Sequence, residues 1–366
     1  MRVLQGLVML LVALPIGASA MTSYRNSGPL SWMHQLPAGE TPGWSTGAWF
    51  DIELNHANIW NKEFTMTDRR TGDLYTYYAD FEQSSAILEM GGAISKRFAL
   101  SLEIPYAYRN GGFLDDFIDQ FHVAIGSSRF MRNINHDFQE KFRIETNGEN
   151  RLTTEPGEGV SSWKFKLKYW LWQKRAKTPG ICECGFALSL QSKFPFQHWA
   201  QGLSSGTTDH SGLVHLGLPF WKHSGMWATA GFTRVGKSAV FEGWPKRQWL
   251  QMYELTLNFG LGPKWGVIVQ ARTESPLFMK EHLDYNYTTT EPEGQTAERV
   301  ASGWNSMMHW RGSESIGLRR VWGAGSQVNL MIVEDWGTGR HDSRGDWLYV
   351  NNAPDVIILT QMHFVF

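Results

Sequence analysis

Cysteine, a charge excess of either sign and long apolar runs are all scarce in this chain, and each scarcity excludes something. Only Cys182 and Cys184 are present, in the run ICECGFALSL. Alternate residues of an extended strand share a face at about 6.5 to 7 Å, the edge of disulfide reach. A metal site would need further ligands close by, so neither metal nor cofactor is expected. Lys and Arg number 34 against 35 Asp and Glu, for a net charge of -1. That balance gives no footprint for a polyanion, and nucleic acid is not expected as a partner. Beyond the first twenty residues no stretch approaches the roughly 18 uninterrupted apolar residues of a membrane helix.

What is abundant is aromatic. The chain has 18 Trp, 21 Phe and 11 Tyr, yet its mean hydropathy is only -0.33. A transmembrane β-barrel accommodates both facts, because polar lumen residues dilute the hydropathy while rings gather in two interfacial girdles. The termini agree. Arg2, an apolar stretch from Leu4 to Ile16 and the small residues Ala18-Ser19-Ala20 form a secretory leader cleaved near Ala20, with the mature chain expected to begin at Met21. The last twelve residues read DVIILTQMHFVF, with Val356, Ile358, Thr360, Met362, Phe364 and Phe366 on one face. A strand closing on Phe resembles the signal read by the outer-membrane assembly machinery of Gram-negative bacteria. Phe364 and Phe366 are its expected carriers, and that machinery and outer-membrane lipid are the expected partners.

Between the termini, alternation with period two recurs along almost the whole chain. Twelve strands are expected, with ten to fourteen as the range. They lie near 47–58, 74–95, 98–108, 159–172, 181–193, 211–221, 226–235, 248–259, 264–273, 314–322, 327–336 and 355–366. Short turns at 96–97, 222–225, 260–263 and 323–326 alternate with long links at 60–73, 109–158, 194–210, 236–247, 274–313 and 337–354. Short turns at one end and long loops at the other mark an outer-membrane barrel with both termini and the turns in the periplasm. The predicted fold is therefore all-β: a leader over 1–20, a periplasmic segment over 21–46 and an up-and-down antiparallel barrel over 47–366. Pro105, Pro195 and Pro219 fall inside or at the ends of strands and predict bulges or strand ends.

One segment has helical spacing. In GGFLDDFIDQFHVAIG, residues 111–126, Phe113, Leu114, Phe117, Ile118, Phe121 and Ile125 recur on one arc, with Asp115, Asp116, Asp119 and His122 opposite. A short amphipathic helix is expected there, in an extracellular loop. It either constricts the lumen as a plug or closes the rim, with Phe113, Leu114, Asp115, Phe117, Ile118 and Phe121 as the candidate residues.

The inward faces hold the candidates for a passage: Glu53, Glu89, Glu103, Lys164, Lys166, Lys168, Glu183, Glu254 and Arg272, besides Asp51 and Lys193. Twelve strands enclose a lumen between the filled eight-strand barrel and the open sixteen-strand porin. These residues therefore either line a narrow charged passage or staple it shut by pairing. Three lysines on one strand suit an anionic solute. Enzyme chemistry finds less support. His210-Ser211 is the nearest approach to a nucleophile and base, without an orienting group. Glu334-Asp335 is expected to pair with Arg319 or Arg320 on the neighbouring strand.

The run GGFLDDFIDQFHVAIG, the strand Phe186–Pro195 with its Gly/Ser/Thr loop and Asp209, VEDW at Val333–Trp336 and APDVIILTQ before the terminal Phe carry a resemblance. Together they resemble an uncharacterised family of proteobacterial outer-membrane proteins, domain-of-unknown-function family 3187. The strand-and-loop portion also looks like aromatic-degradation transporters and, more distantly, fatty-acid channels. It has Phe and Gln where the transporter pattern favours Thr and Gly. The resemblance implies an outer-membrane barrel. Three functions stay open: a narrow channel or transporter for a small, amphipathic or anionic solute; a structural or surface-interaction barrel with a plugged lumen; and, least supported, a lipid-modifying enzyme.

Overall fold

A computed structural model describes residues 23–42, 47–114, 120, 140–152, 157–174, 184–196, 199–221, 223–286, 310–322, 326–336, 340–341, 347–348 and 356–366. Twelve antiparallel strands form the wall. They are β1 (Ala48–Asp68), β2 (Leu74–Ala93), β3 (Phe98–Asn110), β4 (Ser162–Lys174), β5 (Cys184–Pro195) and β6 (Asp209–Trp221), then β7 (Ser224–Arg234), β8 (Trp249–Gly260), β9 (Trp265–Glu274), β10 (Arg311–Trp322), β11 (Ser326–Trp336) and β12 (Val356–Val365). Each pairs with its neighbour in sequence. β12 closes the barrel on β1, with Phe364 opposite Phe50 and Ile358 opposite His56. Closure matters because a backbone surrounded by lipid must satisfy every N–H and C=O within the protein.

The alternation that defines the strands also sorts their side chains. On β10 and β11, Ile316, Leu318, Leu330 and Ile332 are 54 to 60% exposed, while Ser315, Arg319 and Asn329 between them are buried in the interior. Trp221, Trp265 and Trp322 ring the short-turn end. Trp163, Trp249 and Tyr253 lie on the outside towards the long-loop end, where Tyr253 packs against Trp310 at 5.8 Å. These are the two aromatic belts of a membrane-spanning barrel. The terminal residue is tied in by its Phe366 amide, which donates to the Ala48 carbonyl at 3.0 Å. The register shift at Pro219–Trp221, opposite Ser224 and Gly225, is the bulge that proline imposes.

Two expectations change. The link 60–73 is not a long loop: β1 and β2 continue past the membrane as a ribbon and turn only at Arg69–Asp73. Its edges are paired by Leu283–Asn286 on the β1 side and Lys141–Thr146 on the β2 side, so the wall rises beyond the membrane. The period-two signal runs on without a turn residue before Gly72, whose φ of 77 supplies the left-handed geometry there. The second change is larger. Residues 23–42, assigned by sequence to the periplasm, lie inside the barrel. Their helix α1, Pro29–His34, is buried along its whole length. The run 111–126 is described only at Gly111–Leu114 and Gln120, so Asp115, Phe117, Ile118 and Phe121 lie outside the described residues.

Candidate functional site: a lumen filled by the chain's own N-terminal segment

Twelve strands leave an interior too wide for wall side chains alone to fill. The segment 23–42 fills it, and contributes no strand to the wall. It enters the described structure at Ser23, whose amide donates to the Gly39 carbonyl at 2.8 Å, so the segment doubles back on itself. Pro29 opens α1 at a position where its missing N–H costs nothing. Gln35, in the left-handed conformation, ends it, and its amide returns to the Trp32 carbonyl. Six residues do not hold a helix by themselves. The wall holds it.

Charge does much of the holding. Arg25 reaches three successive strands: Nη1 lies 3.0 Å from Glu53 on β1, while Nη2 lies 3.6 Å from Glu89 on β2 and in direct contact with Glu103 on β3. Lys164 pairs with Glu103 from β4. Glu40, at the other end of the segment, pairs with Lys166 and with Lys168, the latter at 3.1 Å. Lys166 also reaches Glu89 at 2.7 Å, joining the Arg25 and Glu40 clusters into one network. Every one of these side chains is buried. Burying so many charges is tolerable only because each has a partner.

A second network anchors the helix. Glu274 accepts from Ser31 at 2.6 Å and Asn26 at 3.3 Å, and it pairs with Arg272 and Arg311 at 2.6 and 3.1 Å. Arg272 also donates to the Pro37 carbonyl at 2.9 Å and pairs with Glu254 at 3.3 Å. Gly39 approaches Glu254 so closely that a Cβ would lie 2.3 Å from its carboxylate, and its amide donates there at 3.2 Å. On the far side, Asp209 bridges His34 at 3.2 Å and Lys193 at 2.6 Å, and Lys193 donates to the Met33 carbonyl at 3.0 Å.

Apolar packing completes the closure. Trp32 sits among Ile87, Ala107 and Leu203. Leu30, Met33 and Leu36 join a cluster that runs up to Tyr75, Tyr77, Phe241, Trp244 and Phe278 at the long-loop end. There Arg109 lies over Phe81 and Phe142 at 4.6 and 4.9 Å and donates to the carbonyls of Gln201 and Gly202. Trp244 is stacked on Tyr75 at 4.7 Å and buried. Beside Arg25 a cavity of about 10 Å³ remains, lined by Asp51, Glu53, Glu89, Gln327, Asn329, Gln361 and His363. That is room for about one water molecule.

Of the nine passage candidates, Glu53, Glu89, Glu103, Lys164, Lys166, Lys168, Glu254 and Arg272 all face the interior, each in an ion pair. Glu183 lies outside the described residues. Of the loop candidates, Leu114 is buried against Val356, and its amide donates to Glu82. Phe113 is exposed and stacks on His56 at 5.0 Å. Gly112, with φ of 70, sits where a Cβ would fall 1.8 Å from the Glu82 carboxyl carbon. Sequence reasoning missed Arg25, His34, Glu40, Asp209, Glu274 and Arg311. A lone Arg and a lone Glu in a segment of otherwise uncharged residues and one His carry no periodic signal.

The enzymatic candidates do not assemble. His210 and Ser211 are consecutive in β6 and so point to opposite faces: His210 meets Ser192 at 2.9 Å outside, Ser211 meets Thr233 at 2.8 Å inside. The register sets Arg319 opposite Asn329 and Arg320 opposite Val328, while Glu334 faces Glu314, so neither arginine lies opposite Glu334 as expected.

Wall, belts and buried segment define a transmembrane β-barrel of the outer-membrane type. The family described as protein of unknown function (DUF3187) matches residues 26–291, and the chain belongs to that family. No curated protein sequence matches it. Among solved structures it is similar to an outer membrane channel from Pseudomonas putida F1, at 7% identity and a TM-score of 0.43 over 88% of this chain and 97% of that one. A FadL homologue of Pseudomonas aeruginosa gives 8% identity and 0.37 over 96% and 100%. The translocator domain of the autotransporter NalP from Neisseria meningitidis gives 10% and 0.35 over 88% and 90%.

Proposed function

We propose that the protein is a channel for small solutes in the outer membrane of a Gram-negative bacterium, reached after removal of a leader near Ala20, and that the described state is its closed one. The observation that carries this reading is the way residues 23–42 fill the lumen. They dock largely through side chains, as a separate piece joined to the wall through residues 43–46. Their removal leaves every wall ladder intact and releases polar and charged groups that water solvates readily. A barrel closed for good by its own wall side chains would have no such removable part. The passage candidates Glu53, Glu89, Glu103, Lys164, Lys166, Lys168, Glu254 and Arg272 then line the opened lumen. The reading makes the protein a transporter and not an enzyme.

The second reading, a structural barrel with a permanent plug, draws on the apolar cluster that unites α1 with the long-loop end. Planar-bilayer recording separates the two. The channel reading expects the complete mature protein to be silent and a refolded variant lacking residues 23–42 to conduct steadily. A folded barrel without the segment that stays silent would overturn it and leave the structural barrel.

A further inference from the structure

We infer that the lumen holds a binding site for small zwitterions that carry a guanidinium or ammonium group and a carboxylate, and that the N-terminal segment closes the lumen by occupying that site as such a molecule would. The inference deepens the channel reading and rests on it. Arg25 and Glu40 are the segment's cation and anion, and each has its own pocket. The cation pocket is Glu53, Glu89 and Glu103 on three successive strands. The anion pocket is Lys166 and Lys168 on β4. The two pockets adjoin, because Lys166 and Glu89 are paired with each other at 2.7 Å.

The charge count favours a zwitterion over either ion. With the segment withdrawn, Glu53, Glu89 and Glu103 stand against Lys164, Lys166 and Lys168, three of each sign. They are segregated, acids on β1 to β3 and cations on β4. A solute of one sign is drawn to one face and repelled by the other. A solute bearing both signs satisfies both.

A separate observation points to a ligand whose donors are placed differently from those of Arg25, whose own Nε donates to nothing there. Gln327 and Asn329 are 2% and 3% exposed and line the cavity that Arg25, Glu53 and Glu89 share. The Gln327 Oε1 and Asn329 Oδ1 atoms accept no hydrogen bond there. Buried acceptors left unmatched are costly. They suit a cationic head whose N–H groups reach further round the pocket than one guanidinium entering from the segment.

The probe is L-arginine, compared with agmatine, which lacks the carboxylate, and glutarate, which lacks the cation. Titration calorimetry on the refolded barrel without residues 23–42 should show saturable arginine binding, about tenfold tighter than either control. The preference should vanish in E89Q/E103Q and in K166Q/K168Q. Arginine binding no tighter than both controls, or unchanged in both variants, overturns the inference. As a check that does not need the deletion to fold, arginine should raise the melting temperature of full-length R25A/E40A more than that of the wild type; an equal shift also overturns it. Conductance of the same deletion barrel keeps the two readings apart. A conducting barrel without the preference refutes only the zwitterion site. A silent barrel that binds arginine refutes only the channel.

Discussion

The wall and the segment inside it are built by opposite rules. A wall strand satisfies its backbone against its neighbours and sends one face of side chains to lipid. Its contacts are repetitive and follow from alternation. The segment 23–42 satisfies itself through single side chains scattered over the wall: Arg25 to β1, β2 and β3, Glu40 to β4, Ser31 to β9. One region is stable because it repeats, the other because it is individually complemented. The wall should therefore tolerate many exchanges of one apolar residue for another on its outer face. The segment should be loosened when a single charge is lost, most of all at Arg25.

The sharpest way to test that contrast is Arg25→Ala. It leaves Glu53 without its cation, while Glu89 and Glu103 keep Lys166 and Lys164, and breaking a buried ion pair by removing one partner costs about 3–5 kcal/mol. We expect the segment to leave the lumen while the wall stays folded, seen as protease cleavage within residues 23–42 with unchanged strand signal in circular dichroism. A wall that unfolds together with the segment would erase the distinction. The converse change is Leu330→Arg, on the lipid face and 55% exposed there. A charge near the bilayer midplane costs about 2–4 kcal/mol. It should lower barrel stability in urea titrations in lipid vesicles without exposing the segment to protease.

Glu40→Gln is milder. Lys166 keeps Glu89, and only Lys168 loses its carboxylate partner while retaining the Thr41 carbonyl at 2.6 Å. A cost of about 1–3 kcal/mol is expected, read as brief openings in a bilayer recording instead of steady conductance. The same logic applies to converting Lys164, Lys166 and Lys168 together to Gln. Those lysines anchor the segment, so the first effect is release and conductance, before any change in ion preference.

The smallest effect lies outside the membrane, at the tip of the β1–β2 ribbon. Hydrogen bonds from Arg70 hold the Asp68 carboxyl below its usual range. A lowered carboxylate pKa contributes stability above the unfolded value of about 3.9, and that contribution fades as pH falls through the folded value. Hydrogen-exchange protection in the turn Arg69–Asp73, taken relative to the intrinsic rate at each pH, should therefore fall below about pH 4 in the wild type. The pH dependence should flatten in Asp68→Asn.

Much of the wall could be read in advance. Phe98 to Tyr108, or Trp163 to Leu171, alternate so regularly that strand, face and register direction follow from the residues themselves. The inward set was legible for the same reason: Glu103 and Lys164 had to oppose the faces of Leu102 and Phe165. The ribbon beyond residue 58 was misread because a turn was expected where the chain leaves the membrane, and the strand there is extended by pairing with Leu283–Asn286 and Lys141–Thr146, distant in sequence. The buried segment was not legible at all. Arg25 finds its carboxylates 28 to 78 residues away, Glu40 its lysines 126 and 128 residues away, and Ser31 its acceptor 243 residues away.

The sequence by itself determined the barrel, because a period of two against lipid is a local property that each strand carries alone. Only the tertiary structure decided that the lumen is occupied and by what. Complementary charges pair through space, and no local pattern records which distant partner a lone arginine or glutamate will meet.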